Sequence, residues 1–136
     1  MPAMTRTPGA LARELWRLFD EARFAEVEPL LAPDFTCEWP QTGEVFRGAA
    51  NFIAVQENYP GRWRCTVEHL VESGAEAITR TRVSDGRTHT FALSFFEVRD
   101  GRVRRLTEFW ADPYAAPPDR AGWAEGSERN SQGEPS

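Results

Sequence analysis

The stretch from Phe91 to Pro113, FALSFFEVRDGRVRRLTEFWADP, decides how this chain is read. Two strand-like segments flank Asp100-Gly101, and Asp-Gly in that setting is a strong signal for a tight hairpin turn. With those two residues as the loop, Arg99 lies opposite Arg102, Glu97 opposite Arg104 and Phe95 opposite Leu106. Leu93 then faces Glu108, and Phe91 faces Trp110. Opposed residues share a sheet face. One face therefore carries Phe91, Leu93, Phe95, Leu106, Glu108 and Trp110; the other carries Ala92, Ser94, Phe96, Arg105 and Phe109. A three-residue loop would pair Glu97 with Val103 and lose the opposite-charge pair, so the two-residue register is preferred. A slip of one residue would turn Glu108 to the other face. A single carboxylate among large apolar side chains is how the wall of a small-molecule pocket would look.

Upstream, the pattern divides into helices and then strands. Thr7-Pro8 is a helix start, with Thr as N-cap and Pro in the first turn. Leu11, Leu15, Leu18 and Ala22 follow at helical spacing, widened by Trp16 and Phe19. A short second helix is expected from Ala25 to Leu31, stopped by Pro33, with Pro29 near its first turn. Phe35 to Trp39 alternates as a strand with Phe35, Cys37 and Trp39 on one face. Pro40 to Gly48 reads as a loop. Ala49 to Tyr59 reads as a third helix, ended by Pro60-Gly61. Strands are expected at Trp63–Glu72, Glu76–Ser84, Thr88–Arg99 and Val103–Asp112. Helices followed by an antiparallel meander form an α+β pattern. Strands of this length twist strongly and curl, and the helices would close the open side.

Residues 1–7 are expected to be a flexible start, 8–123 one domain, and 124–136 a disordered tail. From Pro117 the chain is rich in Pro, Gly, Ser and Glu, a composition with too little apolar surface to order itself. Trp123 is taken as the last anchored residue.

The chain has 136 residues, 40% of them hydrophobic, enough for one core. Its net charge is −5 with no basic block, so a nucleic-acid partner is not expected. No apolar run suits a membrane span, and Met1 to Gly9 lacks the apolar stretch of a secretory signal. A soluble, cytoplasmic protein is expected. Cys37 and Cys65 stand outside any CxxC or Cys/His cluster, so they are read as buried reduced thiols, and no metal site is expected.

The segments LLAPDFTCEWPQTGEVFRG (Leu30–Gly48), Tyr59-Pro60-Gly61-Arg62-Trp63, FFEVRDGRV (Phe95–Val103) and TEFWADPYAAPP (Thr107–Pro118) resemble the nuclear transport factor 2-like superfamily. Within it they resemble the SnoaL-like (polyketide cyclase-like) domain proteins, over roughly residues 8–123. The resemblance implies a cone-shaped curved antiparallel sheet closed by N-terminal helices, a small hydrophobic ligand, and a homodimer formed through the outer sheet face. The small residues Thr90, Ala92 and Ser94 would suit that contact. Ketosteroid isomerase, tested by this resemblance, would have its base at Trp39, its oxyanion-hole acid at Leu93 and its tyrosine near Leu15. All three roles are missing, so isomerase chemistry by that route is not expected. Limonene-type epoxide hydrolase would need an Arg-x-Asp pair where this chain has Arg80-Thr81-Arg82. A SnoaL-type cyclase uses a pocket carboxylate, a role open to Glu108.

Glu108 is the leading catalytic candidate. Beside Phe91, Leu93 and Trp110 its pKa should rise by desolvation, which suits a general acid or base near neutral pH. The competing assignment is an internal ion pair with Arg80 or Arg82. If Ser84 faces Arg87 across Asp85-Gly86, both arginines share the pocket face; a three-residue loop would put Thr79 and Thr81 there instead. His89 is a second proton-transfer candidate. Trp39, Tyr59, Trp63, Arg80, Arg82, Phe91, Leu93 and Trp110 are the candidate ligand contacts, and Gln41 lies near the presumed mouth. Two functions follow. One is an enzyme that moves protons without a cofactor on a small hydrophobic molecule, of cyclase, isomerase or hydrolase type. The other is a non-catalytic ligand-binding or dimeric interaction module with a structural Glu-Arg network.

Overall fold

The computed structural model describes residues 6–126. Helix α1 (Pro8–Asp20) starts where the sequence predicts: the Thr7 hydroxyl accepts from the Ala10 N–H at 3.1 Å. It buries Leu11, Leu15, Leu18, Trp16 and Phe19. Ala22 lies beyond its end with φ at 57°. A 3-10 helix (Phe24–Leu30) contains Pro29 and leads into β1 (Leu31–Trp39). The expected loop after Pro40 instead includes a short strand, β2 (Glu44–Arg47), which pairs back onto β1. Helix α2 (Gly48–Glu57) follows, and then β3 (Arg64–Ser73), β4 (Glu76–Ser84), β5 (His89–Arg99) and β6 (Arg102–Ala111). No helix among the described residues is long and apolar enough to cross a membrane.

The strands form one six-stranded sheet in the order β2-β1-β6-β5-β4-β3. Strands β3 to β6 make the expected antiparallel meander. The sheet is mixed rather than wholly antiparallel, because β1 runs parallel to β6. A parallel neighbour requires a long connection, and a contiguous reading of hairpins does not reveal it. The helices pack on one face, over a core that includes Phe35, Phe52, Phe96 and Leu106. Trp16 ties α1 to β4, its indole N–H donating to Thr79 Oγ1 at 3.2 Å. The Gly9 N–H donates to Glu72 Oε1 at 2.6 Å, and a Cβ on Gly9 would stand 2.6 Å from that oxygen.

The Asp100-Gly101 turn forms as expected, both residues having positive φ and Arg99 facing Arg102. The register then shifts. Val98 faces Val103, but Glu97 faces Arg105, not Arg104. Arg104 is the extra residue of a bulge, which leaves two residues of one strand opposite one of the other. Beyond it every pairing moves by one: Phe96 faces Leu106, Ser94 faces Glu108 and Ala92 faces Trp110. Glu108 keeps its inward place, while β5 is turned over. Phe91, Leu93 and Phe95 point to the outer face, and Thr90, Ala92 and Ser94 point inward, against the expectation for both sets.

The β4–β5 connection makes a second correction. Ser84 faces His89, with four residues between them. That is two residues from the expected pairing with Arg87, so Arg80 and Arg82 still share a face with Phe91 and Leu93. Because β5 is turned over, that face is the outer one, and Thr79 and Thr81 turn inward, both almost fully buried. Arg80 and Arg82 lie on the outer face opposite Leu93 and Phe91. At the C-terminal end a 3-10 helix (Pro118–Trp123) has no buried residue, and Trp123 is 89% exposed. It is not an anchor. The expectation for the tail beyond Gly126 falls outside the described residues.

The bulge can be tested without disturbing the core. Arg104→Ala keeps the extra residue and should change stability by no more than about 1 kcal/mol, measured by urea denaturation. Deleting Arg104 removes only the unpaired residue: Arg105 then follows Val103, and every pair from Glu97–Arg105 to Phe91–Ala111 is kept. Stability should change by no more than about 2 kcal/mol. Deleting Thr107 instead turns Glu108 and Trp110 outward and Phe109 to the core, and stability should fall by more than about 4 kcal/mol. Deletion of Arg104 as damaging as deletion of Thr107 would refute the register.

Candidate functional site

A cavity of about 300 Å³ opens between the end of α1, the segment after α2 and the inward faces of β1 and β4–β6. Its lining is mostly aromatic and apolar: Trp16, Phe19, Phe24, Trp39, Trp63 and Trp110 contribute the large side chains. Tyr59, Arg62, Glu57 and Asp112 bring polar groups to it. Apolar walls with few polar groups are the usual make-up of a small-molecule site.

Glu108 belongs to this wall and is only 2% exposed. Alternation along β6 brings it inward with Leu106 and Trp110. The Trp39 indole N–H donates to Glu108 Oε1 at 3.2 Å, and the Ser94 hydroxyl donates to Oε2 at 2.9 Å. Burial pushes its pKa up to about 7; the Ser94 and Trp39 hydrogen bonds oppose that rise without cancelling it. Among the described residues no cation lies within 4.0 Å of the carboxylate. The expected ion pair with Arg80 or Arg82 is absent because both arginines stand on the opposite sheet face. Arg80 instead approaches Glu68, at 3.5 Å. A buried carboxyl without a counter-charge holds its proton to near neutrality, so it can give or take one under ordinary conditions.

Neighbouring groups hold the wall in place. Trp39 packs edge-on against Phe46, with centroids 4.6 Å apart, and against Trp110, at 5.9 Å. Phe46 belongs to β2, the strand read as loop. Gln41, expected near a ligand, has both ends of its amide occupied by the backbone of Trp110. Its Oε1 accepts the Trp110 N–H, and its Nε2 donates to the Trp110 carbonyl. It continues the sheet edge where β1 has ended. The Pro60–Trp63 turn is shaped around an indole: Trp63 Nε1 donates to the Pro60 carbonyl at 2.9 Å. Gly61 has φ at +98°, and a Cβ there would meet Trp63 Nε1 at 2.9 Å. Asp20, ending α1, accepts from Arg64 Nε and from the Cys65 N–H, both at 2.9 Å. The Arg64 hydrogen bond holds its carboxyl below the usual range.

Of the sequence candidates, the structure brings together Trp39, Tyr59, Trp63, Glu108 and Trp110. It leaves Arg80, Arg82, Phe91, Leu93 and His89 outside. His89 pairs with Ser84 on the outer side of the sheet and packs edge-on against Phe91, at 5.4 Å. Sequence reasoning missed Ser94, which it placed on the outer face. It also missed Thr90 as a lining residue. The missed signal was the spacing of Val103 and Leu106. Two core residues three apart in a strand, separated by Arg104-Arg105, break the two-residue alternation as a bulge does. Cys37 is buried and Cys65 half-buried, both unpaired. Burial raises the Cys37 thiol pKa and pushes that of Cys65 up to about 12. Among the described residues no three His, Cys, Asp or Glu side chains gather as metal ligands would.

A curved sheet with helices over one face and an aromatic cavity at one end defines a nuclear transport factor 2-like pocket protein. The chain belongs to the SnoaL-like domain family, whose model matches residues 12–106. Its structure is similar to that of a ketosteroid isomerase candidate from Kribbella flavida, at 36% identity and a TM-score of 0.81 over 90% of this chain and 93% of the other. A nuclear transport factor 2-like protein of unknown function from Burkholderia xenovorans is similar at 26% identity and a TM-score of 0.74, over 85% and 91%. A candidate SnoaL-like polyketide cyclase from Shewanella putrefaciens shares the fold at 13% identity and a TM-score of 0.64, over 74% and 87%. No curated protein matches the sequence.

The raised pKa of Glu108 makes a signed prediction for stability. Between the ordinary carboxyl value of 4.5 and about 7, the unfolded chain has released this proton while the folded chain retains it. Stability from this group should therefore fall as pH rises through that window and level off above it. The loss is on the order of 3 kcal/mol. Glu108→Gln removes that component. Urea midpoints at about pH 5 and about pH 8 should show the variant gaining on the wild type by this amount at the higher pH. Parallel pH profiles would show that Glu108 is not desolvated as described.

Proposed function

We propose that this chain is an enzyme that binds a small hydrophobic, cyclic molecule and moves protons on it without a cofactor, with Glu108 as the acid/base. The observation that carries the reading is one buried, uncompensated carboxyl in the wall of an aromatic cavity. A pKa near the working pH maximises both the fraction in the required protonation state and the driving force for transfer. Trp39 and Ser94 orient the carboxyl, so its free lone pairs stay aimed at one place. Trp39, Trp63 and Trp110 offer flat surfaces to a ring, and Tyr59 stands at the mouth, 6.1 Å from Trp63 between ring centroids. Because Trp39 occupies the position that the resemblance gives to the isomerase base, proton transfer here falls to Glu108 on the neighbouring strand β6, which accepts the Trp39 indole N–H. A cytoplasmic setting is part of this reading, supported by the two unpaired cysteines.

Turnover tests the assignment. A library of apolar cyclic metabolites is screened for thermal stabilisation, since a ligand that binds only the folded chain raises its melting temperature. Compounds that bind are then followed for conversion. Glu108→Gln should bind the same compounds and lose at least about a hundredfold in rate. Full activity in the variant would sink the assignment. Stabilisation of both proteins with no conversion by either would favour the non-catalytic ligand-binding module.

The same reading includes a homodimer through the outer sheet face. The support is no longer the small-residue set, which points inward, but what replaces it. Ile78, Leu93 and Phe95 are 38%, 36% and 41% exposed. Ile78 faces Phe95 across β4 and β5, and Leu93 faces Phe109 across β5 and β6. Such a contiguous apolar patch is typical of an interaction surface. Light scattering at micromolar concentration should give a dimer for the wild type and a monomer for Leu93→Glu/Phe95→Glu. A monomeric wild type would refute it.

A further inference from the structure

The carboxyl of Glu108, 2% exposed in the cavity wall, is met by two neutral donors, Trp39 and Ser94, and by no cation among the described residues. The rest of the wall carries the same sign. Glu57 and Asp112 also line the cavity, and neither joins an ion pair among the described residues. The one basic side chain in the wall is Arg62. Its guanidinium is occupied at the end of α1 and the start of β3: Nη1 donates to the Trp63 carbonyl and Nη2 to the Asp20 carbonyl, both at 2.7 Å. Its charge is shared with the Asp20 carboxylate, which Arg64 also binds. Three carboxyls against one committed arginine leave the chamber electronegative, and apolar walls concentrate such a field.

The aromatic walls favour the same kind of ligand. Trp16, Trp39, Trp63 and Trp110 line the cavity, with Tyr59 at the mouth. The face of an aromatic ring is electron-rich and attracts a cation, an indole most strongly. The Trp39 and Trp110 rings stand at 83° with centroids 5.9 Å apart, so they form a corner, and the Trp39 N–H holds the Glu108 carboxyl at that corner. Tyr59 and Trp63 are inclined at 58°. Rings at steep angles surround a rounded group from several sides. A carboxylate buried without a counter-charge is destabilised, and a cation brought beside it removes that cost. We propose that this cavity takes a hydrophobic amine as its ammonium cation, with Glu108 as the counter-charge and the indoles of Trp39, Trp63 and Trp110 around it. The inference rests on the cavity being a ligand site and names the class of ligand; it does not depend on Glu108 transferring a proton.

An isosteric pair tests the charge alone by calorimetric titration: para-(trimethylammonio)benzyl alcohol against para-tert-butylbenzyl alcohol. A quaternary ammonium keeps its charge at every pH. At about pH 8 the wild type should prefer the cation by about tenfold or more. Glu108→Gln keeps the shape and removes the charge; it should reduce the preference to about threefold or less, with affinity for the neutral alcohol within about twofold of the wild type. Burial pushes the Glu108 pKa up to about 7. Wild-type affinity for the cation should therefore rise about tenfold between about pH 6 and about pH 8, following the ionised fraction. The other titratable side chains in the wall are Glu57, Tyr59, Arg62, Cys65 and Asp112, and Cys37 stands on the neighbouring strand β1. The rise belongs to Glu108 only if Glu108→Gln abolishes it. The proposal is overturned if neither compound binds, if the neutral alcohol binds as well as the cation, or if the preference or the pH-dependent rise survives in Glu108→Gln. Cation preference lost in Glu108→Gln with turnover undiminished would support the counter-charge and defeat the acid/base assignment. Turnover lost in Glu108→Gln with no cation preference in the wild type would do the reverse.

Discussion

The pairing of β5 with β6 changes by one residue at Arg104, and that change decides which side chains of β5 the helices cover. Without the bulge, three large apolar residues, Phe91, Leu93 and Phe95, would crowd the concave face. With it, Thr90, Ala92 and Ser94 stand there. Small residues opposite Glu108 and Trp110 pack beneath those side chains, fully buried, and Thr90 joins Glu108 and Trp110 in the cavity wall. The same shift supplies Ser94 to the Glu108 carboxyl. The outer face then carries the displaced aromatics, so the apolar patch and the Ser94–Glu108 contact are two results of one backbone irregularity.

Desolvation then sets the character of the site. Glu108 has two hydrogen-bond donors and no counter-ion, because the arginines of β4 follow the same alternation that puts Thr79 and Thr81 inside. An arginine on the inner face would have lowered the carboxyl pKa and made a closed ion pair. Two neutral donors orient the group and leave it titratable near neutrality. Such a group costs stability: an uncharged residue of similar shape would fold with less cost above pH 7.

The similar solved structures share the sheet and the helices, and the activities they are named for differ. That is expected where the fold supplies a curved wall and individual positions supply the chemistry. In this chain the groups gathered around the buried carboxyl of Glu108 are few: Ser94 on β5 and Trp39 on β1 donate to it, and Trp110 on β6 packs against Trp39. The indoles of Trp39 and Trp110 differ in one respect. One N–H is committed to Glu108, and the other is uncommitted.

Local chemistry in the sequence was enough for the α1 cap at Thr7, the meander of β3 to β6, the Asp100-Gly101 turn and the inward place of Glu108. Each depends on residues close together in the chain: a hydroxyl three residues from an amide, a two-residue alternation, a turn that needs positive φ. The parallel pairing of β1 with β6, the β2 strand and the partners of Glu108 depend on residues far apart in sequence. Register lies between these cases. The turn set it correctly for two pairs, Arg99 with Arg102 and Val98 with Val103, and one extra residue then reversed a whole strand. Alternation says which residues of a strand share a face, but not which face meets the core; only packing against α1, α2 and β1 decided that.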